Sequence, residues 1–164
     1  DLIMNQTKLI IVNATIATIY AVLTLALAPI SYGPIQIRLS ECLVLLAFYN
    51  KKYIPGLTIG CLLANINSPL GITDIFIGTT ATLISLLLMQ YLPTVFIASL
   101  APVFINGIMI GGELAYLSEI PMDSTLLAVI TYIGFGEFLS VSILGILLFK
   151  FLLKNPILRK YIID

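Results

Sequence analysis

From Leu9 to Pro29 the chain runs without one charged residue, and a hydrocarbon core is crossed by about 20 helical residues. A run of that length has one workable fate. It becomes an α-helix that satisfies its own backbone N–H and C=O groups in a bilayer, where no water can. The pattern recurs: further apolar runs cover Leu39–Tyr49, Ile54–Ile66, Ile72–Leu92, Val95–Leu117 and Thr125–Leu153. The second is short and needs part of the polar stretch before it to cross, whereas the last is long enough to tilt or project. With 60% of the 164 residues hydrophobic and 10% charged, the composition lies far from that of soluble domains. The expected fold is an all-α integral membrane protein, a bundle of six transmembrane helices forming a single domain over residues 1–164. The first run lacks the flanks of a cleavable leader and reads as a retained helix, while Asp1 in place of Met points to slight trimming of the start.

Charge resolved by position says more than the net value of zero. With six spans and the positive-inside rule, Lys8, Lys51, Lys52, Lys150, Lys154, Arg159 and Lys160 gather on the inner side and Arg38 alone falls outside. Both termini are then cytoplasmic. Glu41, Asp74, Glu113, Glu119 and Asp123 map to the opposite end, and Glu137 lies about halfway down the sixth run. An acidic outer half favours a cationic or hydrogen-donating ligand arriving from outside.

Absences exclude several classes. The sequence has no His, the commonest proton shuttle and metal ligand. Cys42 and Cys61 lie in apolar runs and read as small hydrophobes. No phosphate-binding G-x-x-x-x-G-K-[ST] loop, H-E-x-x-H or C-x-x-C occurs, so the chain has no ATPase of its own, no expected cofactor, and no basic run suited to nucleic acid.

Ionisable groups inside a membrane cost several kcal/mol in lipid and therefore face the bundle interior or a cavity. Glu113 closes "NGIMIGGE", seven residues after Asn106, and two helical turns put both on one face at different depths. A carboxylate accepts from paired N–H groups and an amide both donates and accepts, a combination suited to the edge of a heterocyclic base. The plainer alternative has Asn106 bonding a neighbouring helix and Glu113 reaching the headgroups. Glu137, in "GFGEFL", has no nearby cation in sequence; a ligand contact and an interhelical hydrogen bond are both open to it. Asp74 follows Gly71 and Thr73, where helix capping is the favoured explanation. Asn65 can cap, bind a partner helix or line a site. In "SYGPIQIRLSE" (Ser31 to Glu41), Arg38 and Glu41 stand three apart and would pair on a helix surface, while Tyr32, Gly33, Pro34 and Gln36 form a short outer loop able to fold over a ligand. Asp123 or Ser124 can cap the last long helix. Ala17 and Ala21, Gly56 and Gly60, and Gly107 and Gly111 repeat at the small-xxx-small spacing that lets membrane helices approach closely.

The segments "APISYGPIQIRLSECL" (Ala28 to Leu43), "PGLTIGCLLANI" (Pro55 to Ile66), "DIFIGTTATL" (Asp74 to Leu83) and "INGIMIGGEL" (Ile105 to Leu114) resemble, in order, the queuosine-precursor transporter family, substrate-binding S components of energy-coupling factor transporters. The resemblance implies a six-helix S component in a bacterial cell membrane, binding its ligand from outside between the outer ends of helices four to six and the loop joining helices one and two. It also implies partnership with a transmembrane coupling subunit and two ABC-type ATPases that consume the ATP. The implied ligand is a 7-deazaguanine derivative or queuine. Glu113 would grip its N–H edge, Asn106 its carbonyl or a ring nitrogen, and Tyr32 or Phe135 would stack on the ring, with Gln36, Arg38, Glu41, Asn65, Asp74 and Glu137 as further candidates. An aminomethyl precursor would add a positive charge that the acidic half attracts. Ala17 and Ala21, with Ala14 adjoining, match the family's docking face for the coupling subunit. Three other readings compete: an S component for another small heterocycle or vitamin; a standalone secondary transporter, which the lack of paired broken helices disfavours; and a membrane enzyme or assembly scaffold, the first disfavoured by the missing catalytic sets and the second by acidic residues concentrated on one side.

Overall fold

The computed structural model describes residues 5–32, 37–117 and 123–163. Gly33, Pro34, Gln36 and Glu119 lie outside the described residues. Among those described, all regular structure is helical. Helix α1 (Gln6–Ala26) starts at Asn5, whose side chain accepts from the Lys8 N–H. Pro29 opens the short α2 (Ala28–Ser31). A 3₁₀-helix, Leu39–Leu45, runs into α3 (Leu46–Tyr49), and a 3₁₀ turn, Lys51–Tyr53, runs into α4 (Ile54–Asn65). Next come α5 (Ile72–Met89) and α6 (Val95–Tyr116), the latter capped by Thr94 and carrying Pro102 inside. The last long helix is continuous but not uniform: α7 (Ser124–Glu137), a π-helical stretch Phe138–Gly145, then α8 (Ile146–Leu152). Asp123 caps it by accepting from the Thr125 N–H at 2.7 Å. A short amphipathic helix, α9 (Pro156–Ile163), follows.

Four of these are long and apolar enough to cross a bilayer: Gln6–Ala26, Ile72–Met89, Val95–Tyr116 and Ser124–Leu152. The expected second and third spans are present only as shorter apolar helices, Leu39–Tyr49 and Ile54–Asn65. The molecule is thus an all-helical, multi-pass membrane protein. The expected break at Asn67–Gly71 is real. Gly71 enters α5 at φ +73°, a left-handed conformation that a Cβ would strain.

The helices close a ring. α1 packs on α4, α4 on α5, α5 on α6, α6 on α7, and the π-helix on the 3₁₀-helix, which returns to α1. Its interior holds Tyr20, Leu45, Leu57, Leu86, Met89, Val141 and Phe149, with the Tyr49 and Phe149 rings stacked at 5.4 Å. Ala17 and Ala21 are buried within the chain. A Cβ on Gly60 of α4 would come within 2.8 Å of Tyr20 Cβ and 3.0 Å of the Ala17 carbonyl, so the small-residue spacing serves the α1–α4 contact. Ala14 is exposed.

Candidate functional site

At one end of the ring, side chains from five elements converge in the protein interior: Arg38 and Glu41 at the start of the 3₁₀-helix, Asn65 on α4, Asp74 on α5, Asn106 and Glu113 on α6, and Glu137 on α7. None is more than 7% exposed. They form two layers.

The shallow layer centres on Arg38. Its Nη1 donates to Asn65 Oδ1 at 3.0 Å, and its Nη2 lies 3.8 Å from Asp74 Oδ2, forming the only ion pair among the described residues. The Arg38–Glu41 pair expected from their spacing does not form. Arg38 has extended backbone (φ −96°, ψ 102°) and Leu39 begins a 3₁₀-helix, so the α-helical i,i+3 geometry is absent there. Asp74 does not cap α5 either. The cap is Gly71, and the Asp74 carboxylate turns to Arg38, with Oδ1 left unpartnered. Asn65 Nδ2 donates to the Asp74 carbonyl and to Thr79 Oγ1, both at 3.3 Å. Gly78 makes this crowding possible, since a Cβ there would sit 2.8 Å from both Asn65 Nδ2 and Asp74 Oδ1. The Arg38 guanidinium also lies 5.6 Å from the centroid of the Tyr32 ring, whose hydroxyl donates to the Ala64 carbonyl. Glu113 is 2% exposed, and both its oxygens are buried without a partner. It therefore points inward and does not reach the headgroups.

The deep layer holds Asn106, two turns or about 10 Å further along α6, and Glu137 at the end of α7. Glu41 accepts from the Tyr20 hydroxyl, while Glu41 Oε2 and Glu137 Oε2 are unpartnered. Beside it Thr24 and Ser40 hydroxyls meet at 2.6 Å. One buried guanidinium thus accompanies four buried carboxyls, Glu41, Asp74, Glu113 and Glu137. Unpaired buried polar groups of this kind are costly and call for a partner.

Phe135 is not part of this assembly. It is 52% exposed on α7. Sequence reasoning missed Tyr20, Thr24, Ser40 and Thr79, although Tyr20 and Thr24 stand four apart on α1, a spacing that marks one face. Ser31, fully buried with an unpartnered hydroxyl, was missed as well.

The described residues thus form a membrane-type helical bundle with a buried, carboxylate-rich cluster at one end. The chain belongs to the QueT transporter family, whose model matches residues 10–154. It is 44% identical over 84 residues to the queuosine precursor transporter QueT of Lactococcus lactis subsp. cremoris (strain MG1363). That match takes in 50% of this chain and spans about half, 49%, of the relative's length. No solved structure matches the chain significantly.

Proposed function

We propose that this chain is a membrane-embedded S component of an energy-coupling factor importer that captures a queuosine precursor from outside and delivers it inward. Family membership and the printed name of the Lactococcus relative support the substrate class. The observation that carries the reading at the level of residues is Glu113, 2% exposed with both carboxylate oxygens unpartnered. A 7-deazaguanine, or queuine, offers an N–H and an amino group side by side, and a carboxylate takes two such donors at once.

In this reading Glu113 grips that edge, Asn106 meets the carbonyl or a ring nitrogen, and Arg38 and Asn65 hold Asp74 in place at the mouth. Tyr32 and Gln36 are further candidate ligand contacts. The surplus of carboxyls over cations favours a protonated aminomethyl substituent on the base, because an ionised buried carboxylate is stabilised by a nearby cation. The short helices Leu39–Tyr49 and Ile54–Asn65 complete a six-span bundle, with both termini and the basic end in the cytoplasm. Lacking a phosphate loop, the chain relies on a coupling subunit and two ABC ATPases for energy.

Small molecules and proteins that co-purify from the native membrane test this reading together. A deazaguanine in the mass spectrum, with ATPase subunits in the same fraction, is the expected result. Uptake of the base by membranes lacking any ATPase would overturn the S-component assignment and favour a secondary transporter.

A further inference from the structure

The opposite end of the bundle carries a second feature that ligand capture does not use. Lys8, Lys51, Lys52, Lys150, Lys154, Arg159 and Lys160 all lie there, and none is in an ion pair among the described residues. No described Asp or Glu accompanies them. Lys52 is drawn over the Tyr53 ring at 5.2 Å; Lys51, Lys150, Lys154, Arg159 and Lys160 are exposed.

Helix α9 is fastened to this end. Asn155 caps it by accepting from the Ile157 and Leu158 N–H groups. Its last carbonyls accept from the Tyr53 hydroxyl and from Asn50 Nδ2, and Ile162 is buried in the core. At 100° per residue, Ile157, Tyr161, Leu158 and Ile162 form one apolar arc, with Arg159 and Lys160 on the other side, flanking Ile163. Only Ile162 of that arc is covered by protein. Ile157 is 67% exposed, and Leu158 and Tyr161 are exposed beside it.

We propose that α9 and the surrounding cations form an interfacial anchor that binds anionic phospholipid headgroups. Leu147 and Phe151 of α8, just before α9 in the chain, are exposed as well, and in this proposal the open part of the arc meets the boundary between acyl chains and headgroups. An amphipathic helix with a basic polar face lies in that boundary. The cations then stand level with the lipid phosphates, and charge complementarity selects anionic lipid over zwitterionic lipid.

The test uses the full-length protein in mixed micelles containing equal amounts of phosphatidylglycerol and phosphatidylcholine, with the retained lipids read by mass spectrometry after detergent exchange. Phosphatidylglycerol is retained preferentially, and the preference collapses in 1 M salt. The triple variant Lys154→Gln/Arg159→Gln/Lys160→Gln, at exposed positions away from the ligand site, keeps the parent's thermal stability. Its preference drops by about fivefold for each cation removed. Equal retention of both lipids by the parent overturns the proposal. So does an unchanged preference in the variant, including the case in which the variant instead loses co-purifying ATPase subunits, which would assign the cations to a protein partner.

Discussion

Replacing Arg38 by methionine keeps an unbranched apolar stem and removes the only cation within the buried cluster. The guanidinium is bonded to Asn65 at 3.0 Å and paired with Asp74 at 3.8 Å, and both partners are almost fully buried. Removing one member of a buried pair costs roughly 3–5 kcal/mol, because the other charge is left uncompensated. Polar contacts between membrane helices average nearer about 0.6 kcal/mol, since the unfolded chain in the bilayer also finds partners. The first figure governs here at its lower end, because Glu41, Glu113 and Glu137 share the site and no other described cation can replace Arg38. A loss of about 3 kcal/mol, at roughly 2–4 °C per kcal/mol for a domain of this size, lowers Tm by about 6–12 °C. Cys42 and Cys61 are buried free thiols, so a thiol-reactive fluorophore reports unfolding in detergent. The double variant Arg38→Met/Asp74→Asn recovers part of the loss by removing a stranded charge. A single-variant Tm within about 2 °C of the parent, or a double variant no better than the single, refutes the argument.

Gly78→Ala pushes a methyl group against Asn65 Nδ2 and Asp74 Oδ1 and lowers stability by about 1–3 kcal/mol; if the helix-propensity gain of alanine prevails and Tm rises, the close approach is wrong. Tyr20→Phe deprives Glu41 of its donor and costs about 1–3 kcal/mol in the same assay, whereas an unchanged Tm contradicts the deep layer. The Thr125 N–H holds the exposed Asp123 carboxyl below its ordinary value. Its capping contribution is therefore present above the ordinary aspartate value of about 4 and lost as pH falls through the lowered one. The Thr125 amide resonance shifts across that acid range in the parent and stays flat in Asp123→Asn, which caps without titrating.

The apolar runs made the helices legible because backbone satisfaction in lipid leaves few alternatives. The helix ends of α4, α5 and α6 fall within a few residues of the expected runs, and Asp123 caps as its position suggested. Glu113 was legible as a buried acid for the same reason: an ionisable group in such a run has somewhere specific to point. The partners of Arg38 were not. Local spacing nominated Glu41, but the extended backbone at Arg38 breaks helical registry, and Asp74 and Asn65 arrive from helices distant in sequence. Asp74 looked like a cap because it stands in the first turn of α5; nothing local announces a guanidinium across the ring. Ala17 and Ala21 show the same limit in reverse. A small-residue stripe marks close approach without naming the neighbour, and here the neighbour is Gly60 of the same chain.

Equilibrium binding of 7-aminomethyl-7-deazaguanine to the purified protein and to Glu113→Gln tests the central claim most directly. A glutamine of nearly equal size keeps one acceptor but loses the charge and the bidentate grip. Hydrogen bonds to charged groups contribute about 1.5–3 kcal/mol. The account therefore predicts affinity weakened by roughly 10- to 150-fold, with the fold intact by thermal unfolding. Equal affinity in the two proteins would contradict it.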